Sequence, residues 1–164
     1  MVWQRLSLAL AALWWGGITA LSFLAVPTLF ATLGSPAVAG PVAAKLFSLQ
    51  SWAGLVIGLG LLLLLRRQRQ RMVVSNDAGL VVGPEQVVVL QQLLSTMGIV
   101  LLAMLLALVQ EFGVAQNIVT ARASGGNLRL WHSVGSLMVL GQWLCAGAVL
   151  WRLSRSSEAF VGAQ

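Results

Sequence analysis

Four long apolar runs dominate this chain, at residues 6–30, 42–65, 87–109 and 131–151. Each run has more than twenty residues, and an α-helix of that length crosses the ~30 Å hydrocarbon core of a bilayer. Helix is the expected state, because an open sheet would leave backbone groups unpaired in lipid, and the alternating segments of a β-barrel are not seen. The sequence therefore predicts an all-α integral membrane protein, a bundle of four transmembrane helices.

The composition agrees with lipid as the main solvent. Hydrophobic residues make up 59% of the chain and charged residues 9%, whereas about a quarter of a soluble domain is charged. We predict a single transmembrane domain over residues 1–164, with a cytoplasmic loop at residues 66–86. The first apolar run is longer than that of a signal peptide, so we expect an uncleaved first helix.

The net charge of +6 does not indicate nucleic-acid binding, because the basic residues lie between apolar runs and not on one basic face with interleaved aromatics. Seven of the ten Lys and Arg residues would share one end of the bundle: Arg5, Arg66, Arg67, Arg69, Arg71, Arg152 and Arg155. The other three, Lys45, Arg122 and Arg129, would lie at the opposite end. The positive-inside rule then places both termini in the cytoplasm (N-in, C-in). We expect the cluster at residues 66–71 to attract anionic lipid headgroups.

Proline positions mark the expected helix ends. Pro27 lies near the end of the first run and should kink or end that helix. Pro41 suits the first position of the second helix, after a turn-rich loop, and Pro84 suits the start of the third. Residues 72–82, between the second and third runs, fit either a small β-hairpin or a plain loop.

Several short motifs are shared with a known family. They are Leu13-Trp14-Trp15-Gly16-Gly17, Val26-Pro27-Thr28-Leu29-Phe30, Ala39-Gly40, Lys45-Leu46-Phe47, and Arg129-Leu130-Trp131-His132-Ser133 with Ser136 one turn later. On these residues the chain resembles the TMEM205-like family (domain of unknown function DUF4149) over the first two helices and the last. The resemblance implies a four-helix membrane protein, in bacteria an inner-membrane one, and it implies no particular activity.

Glycines recur at helix-packing spacing. Gly54 and Gly58 form a GxxxG pattern on the second helix, while Gly16, Gly17 and Gly141 offer thin surfaces on the first and fourth. Small residues four apart let another backbone approach closely, which in lipid replaces the missing hydrophobic drive. Packing within the bundle is the preferred interpretation, and binding of another membrane protein is the alternative.

A candidate polar site lies at the outer ends of the second and fourth helices, formed by His132, Ser136, Arg129 and Lys45. We interpret His132, the only histidine, as an interface residue that hydrogen-bonds near Ser136, and we predict no metal and no cofactor. One chain cannot supply two histidine ligands to a haem, and the Met and Cys residues lack ligand-like spacing. A metal-binding or proton-moving His132 is the alternative. Gln142, in the middle of the fourth run, is interpreted as an interhelical hydrogen-bonding residue.

The sequence contains no nucleophile with its base, no paired carboxylates and no phosphate-binding glycine loop. Its carboxylates all fall outside the predicted runs: Asp77, Glu85, Glu111 and Glu158. We predict a non-enzymatic accessory or assembly subunit of a larger bacterial membrane complex. Its partners would be the lipid bilayer and other membrane subunits or further copies of itself, and not nucleic acid. The alternative is a small transporter or a metal- or haem-handling membrane protein centred on His132, Lys45 and Arg129.

Overall fold

The computed structural model describes the backbone of residues 2–77, 84–118, 120 and 125–161, and the side chains of residues 2–71, 86–118, 120 and 125–155. Four helices in it are long and apolar enough to cross a membrane: Val2–Leu33, Pro36–Arg71, Gln86–Ile118 and Leu128–Arg155. We call them the first to fourth spans. No strand occurs in the described residues, and the prediction of an all-α membrane protein with four spanning helices is confirmed.

Two of the spans contain a short π-helical segment. The first span consists of an α-helix Val2–Ala20, a π-helix Leu21–Ala25 and an α-helix Val26–Leu33. The second lies in one α-helix, Pro36–Asp77. The third consists of an α-helix Pro84–Val109 and a π-helix Gln110–Ala115, and the fourth lies in one α-helix, Leu128–Val161.

The predicted loop at residues 66–86 is mostly helical where it is described. The second helix continues to Asp77 and the next begins at Pro84, because Arg and Gln in the polar flank are good helix formers. The β-hairpin considered for residues 72–82 would need a strand in its first half. Residues 72–77 are helical, so that part of the prediction is wrong. Residues 78–83 lie outside the described part of the chain.

The turn between the first two spans is shorter than predicted. Gly34 ends the first span in a left-handed conformation, with φ of 63°, and its N–H bonds the carbonyl of Phe30 at 3.2 Å. The next helix begins at Pro36 and not at Pro41, which lies inside it. Pro36 is the better first residue, because Ser35 is already positioned to accept hydrogen bonds from Val38 and Ala39.

The four spans form an up-down-up-down bundle. The first span packs against the second and the fourth, and the third packs against the same two. The buried core lies from the middle of the bundle toward the end that contains both termini. It consists of Ala11, Trp14, Ile18, Leu61, Leu65, Val100, Ala103, Ala146, Val149 and Leu153.

Tryptophans of the first span lie against glycines of the neighbouring helices. A Cβ added at Gly54 would lie 2.9 Å from Nε1 of Trp14, and one at Gly147 would lie 2.9 Å from Nε1 of Trp15. A Cβ at Gly58 would lie 2.7 Å from Cγ of Met104. Side chains of the bundle itself therefore fill the space beside Gly54 and Gly58.

The remaining predicted packing glycines divide into two groups. A Cβ at Gly141 would lie 2.9 Å from Cδ1 of Leu106, so this glycine also receives a side chain from within the bundle. Gly16 and Gly17 have open space where a Cβ would be, with no atom of the described structure within 4 Å. Among the described residues, no side chain of another helix packs against them.

One end of the bundle, which we call the arginine end, collects the basic residues of three helices. The guanidinium of Arg67 lies 4.3 Å from the centre of the Trp3 ring, and that of Arg155 lies 4.8 Å from the centre of the Trp151 ring. Arg66, Arg69 and Arg71 are exposed beside them. This arrangement suits a headgroup layer, where amphipathic tryptophan rings and cations both lie.

The first prediction concerns topology. In a Cys145→Ala background, a cysteine at Ser75 should react with an impermeant reagent only from the cytoplasmic side, and one at Ser35 only from the opposite side. The measurement is thiol labelling of intact cells and of inside-out vesicles. Labelling of both positions from one side would refute four spans, and a reversed pattern would refute the N-in orientation.

The second prediction concerns Gly58. Replacing it by Ile should destabilise the bundle by about 1–3 kcal/mol, because the new side chain overlaps Met104 and strains the packing. Gly17→Ile is the matched control, since its position is open, and it should leave thermal unfolding in detergent unchanged. Equal unfolding curves for the two variants would contradict the packing described here.

Candidate functional site

The π-helical segment of the first span follows from Pro27. In a regular α-helix the ring of Pro27 would clash with the carbonyl of Phe23 and no N–H would bond it. Instead the turn before Pro27 is widened, and the N–H of Val26 bonds the carbonyl of Leu21, five residues back. The helix then continues to Leu33, so Pro27 reshapes the first helix and does not end it.

The third span continues past its predicted end and carries the second π-helical segment. The apolar run stops at residue 109 because Gln110 and Glu111 are polar, yet the helical backbone persists and the span reaches Ile118. Glu111 lies beyond the predicted apolar run but inside this helix, which continues to Ile118. Gln110 and Val114, in the same segment, are buried.

Both π-helical segments line one cavity, at the end of the bundle opposite the arginine end. The cavity volume is about 790 Å³, within the range of known ligand sites. All four spans contribute to its wall. The described lining residues are Ile18, Ser22, Phe23, Val26, Phe30, Gly40, Pro41, Ala43, Ala44, Phe47, Ser48, Gln110, Glu111, Val114, Ala115, Ile118, His132, Gly135, Ser136, Val139, Leu140 and Trp143.

Two side-chain hydrogen bonds organise the polar groups of the wall. The hydroxyl of Ser48 donates to Oε1 of Glu111 at 2.6 Å, which joins the second and third spans. Nε2 of Gln142 donates to Oε1 of Gln110 at 2.6 Å, which joins the third and fourth. Gln142 is fully buried and Gln110 is 7% exposed, so this second bond lies in the interior, as the interhelical interpretation of Gln142 expected.

Aromatic side chains form the wall between the first and fourth spans. The rings of Phe23 and Trp143 meet edge to face with centres 6.1 Å apart. Nε1 of Trp143 donates to the hydroxyl of Thr19 at 2.9 Å, which fixes the indole in place. Phe30 and Phe47 add two further rings to the lining. The wall is therefore rigid as well as apolar.

Two of the four residues of the predicted polar site line the cavity, and the other two do not. His132 and Ser136 both line the cavity. The Ser136 hydroxyl donates to the backbone carbonyl of His132 at 2.9 Å and not to its imidazole. Lys45 and Arg129 are exposed and are not among the lining residues.

The sequence predicts only some of the polar residues that line this cavity. Glu111, Ser48 and Gln110 were not predicted as site residues. One signal for them exists, because Gln110-Glu111 interrupts a stretch that is otherwise apolar from Ile99 to Ala115. Among the described residues, no group of three His, Cys, Asp or Glu side chains could hold a metal ion.

A family described as a domain of unknown function (DUF4149) matches residues 9–127. The chain belongs to the DUF4149 family. The matched part of this DUF4149 protein contains both π-helical segments together with Ser48 and Glu111. It ends before the motif from Arg129 to Ser136, which lies outside the match. No curated protein and no solved structure matches the chain.

The third prediction concerns His132 in this DUF4149 protein. His132→Ala should leave metal content and visible absorption unchanged, because the described residues place no group of three His, Cys, Asp or Glu side chains around a metal ion. Elemental analysis and an absorption spectrum of the purified wild type and variant are the measurements. A stoichiometric metal or haem that disappears with His132 would favour a metal- or haem-handling role instead.

Proposed function

We propose that this DUF4149 protein is a non-enzymatic inner-membrane protein, with both termini in the cytoplasm, that binds an amphipathic small molecule within the membrane. It is nearest to the small transporter that was one of the two alternatives considered from the sequence. The cavity between the four spans is the observation that carries the proposal. Its volume of about 790 Å³ suits one medium-sized ligand.

The composition of the wall supports an amphipathic ligand. Most lining side chains are aliphatic or aromatic, and the polar ones are few. Such sites bind the apolar body of a ligand over a large area, and the few polar groups fix its orientation. The packed core lies between the cavity and the arginine end, so the ligand would enter from the opposite end or from the surrounding lipid.

The position of Glu111 also supports binding. An ionisable side chain within a spanning helix is costly and in membrane proteins usually serves a ligand, ion or proton. The partner of Glu111 here is the neutral hydroxyl of Ser48, which does not compensate a negative charge. A ligand in the cavity would complete the set of interactions around this carboxylate.

The accessory or assembly subunit predicted from the sequence is the second candidate. The GxxxG pair, on which that role partly rested, packs against Trp14 and Met104. The open positions at Gly16 and Gly17 favour a contact with another membrane protein, since small residues permit close approach of a helix. Under either function, we also propose that the protein is TMEM205-like and lies in the bacterial inner membrane. The basic residues at the arginine end support the N-in orientation.

The fourth prediction tests the cavity with two matched pairs of variants. Ala44 and Ala53 are both exposed on the second span, and Ser136 and Ser133 are both exposed on the fourth, but only Ala44 and Ser136 line the cavity. Ala44→Phe and Ser136→Phe should expel the ligand by filling its space, whereas Ala53→Phe and Ser133→Phe should not. Native mass spectrometry of protein released gently from its own membranes detects the retained small molecule.

The wild type and the two control variants should carry a bound small molecule, and the two cavity-filling variants should have lost most of it. Wild-type protein without any bound molecule, or equal retention in all variants, would contradict ligand binding in the cavity. Stable attachment of a second protein that Gly17→Ile releases and Ala44→Phe does not would favour the subunit role.

A further inference from the structure

We infer that the ligand of this cavity carries a positively charged ammonium group and that Glu111 binds it. This inference rests on the proposed function, because it names the chemical class of the molecule that the cavity holds. It is argued from the charges, the hydrogen-bond acceptors and the aromatic rings of the wall.

The charge of the wall is negative. Glu111 is the only Asp, Glu, Lys or Arg among the described lining residues. Lys45 and Arg129, at the same end of the bundle, are exposed and are not among them. An anionic ligand would therefore meet the Glu111 carboxylate without a described cation in the wall to offset it. A cationic ligand would meet a partner of opposite charge.

Several polar atoms of the wall are also available to accept hydrogen bonds. Glu111 has a second carboxylate oxygen beyond the one that Ser48 bonds. The hydroxyl of Ser22 is buried and has no hydrogen-bond partner among the described residues, although it lines the cavity. The hydroxyl of Ser136 donates to the backbone carbonyl of His132, which leaves its lone pairs as acceptors. A primary ammonium has three donors and no acceptor, and it complements such a wall.

Aromatic rings supply the remaining feature of a cation site. Phe23, Phe30, Phe47 and Trp143 all line the cavity. The face of an aromatic ring carries a negative quadrupole potential, and rings grouped around a pocket recognise organic ammonium groups. A carboxylate beside several rings binds a cation that has an apolar body, because the rings contact the carbon atoms and the carboxylate contacts the charge.

Two sources of such a molecule share this chemistry. One is the ethanolamine headgroup of a membrane lipid, whose acyl chains would occupy the apolar wall. The other is a free amphiphilic amine that enters from the lipid or from the aqueous side. The experiment uses probes for both and compares each amine with an uncharged or anionic counterpart.

The fifth prediction uses purified wild-type protein, Glu111→Gln and Ser48→Ala in nanodiscs of phosphatidylglycerol. Dodecylamine and dodecanol are the two probes, and native mass spectrometry measures their retention. Wild type should prefer the amine by about tenfold or more, since charge-assisted hydrogen bonds are roughly twice as strong as neutral ones. Glu111→Gln should lose the preference and retain the alcohol, because the amide has nearly the same size as the carboxylate but carries no charge.

Ser48→Ala is the matched control for a structural role. It removes the same Ser48–Glu111 hydrogen bond but keeps the carboxylate, so the preference for the amine should persist. If Ser48→Ala abolished the preference as fully as Glu111→Gln, the carboxylate would act through its bond to Ser48 and the ammonium site would be wrong. Thermal unfolding of both variants shows whether the bundle remains intact.

The outcomes separate this inference from the proposed function. Equal retention of amine and alcohol by wild type, with both lost in Ala44→Phe, would overturn the ammonium site and leave ligand binding standing. No retention of either probe would overturn both. Adding phosphatidylethanolamine to the nanodiscs then identifies the source. Displacement of dodecylamine by this lipid supports a headgroup ligand, and undiminished retention supports a free amine.

Discussion

The insertion of Trp14 and Trp15 between glycine-bearing helices is the interaction on which this bundle depends. Lipid tails are as apolar as leucine, so helices in a membrane associate through close packing and not through the hydrophobic effect. Gly54 and Gly147 leave room for the two indoles, and Gly58 leaves room for Met104. These contacts join the first span to the second and fourth and the second to the third. They hold the half of the bundle near the arginine end together, and the core residues fill the space between them.

The other half of the bundle is built differently. Three of its helices depart from a regular α-helix: the first and third have π-helical segments, and the second contains Pro41. π-Helical segments occur frequently at functional sites, because they displace side chains from their regular positions. Here the departures coincide with the place where the spans separate around the cavity. The tightly packed half near the arginine end thus supports the half that contains the cavity. The polar residues Gln110, Glu111 and Ser48 lie where the cavity begins.

The four spans could be predicted because hydropathy and length alone decide them. The π-helical segments within them could not, since their hydrogen bonds reach five residues back and not four, and such segments have no distinct composition. Pro27 indicated a disturbance, but whether a proline ends a helix or widens a turn depends on the neighbouring helices. The continuation of the third helix through Glu111 was missed for a related reason. Two polar residues end an apolar run, while the backbone continues as helix and the Ser48 hydroxyl provides a partner from another span. The cavity itself depends on the spacing of four helices and has no signature in any one of them.

The tryptophan–glycine contacts also limit how this sequence can drift over evolutionary time. A larger residue at Gly54 is tolerable only if Trp14 becomes smaller, and the same holds for Gly147 and Trp15, because each pair fills one shared volume. Substitutions at the paired positions should therefore covary among related chains, while Gly16 and Gly17 vary independently of both. Homologues in which Trp14 is replaced by a small side chain should carry the compensating bulk at position 54 or 58.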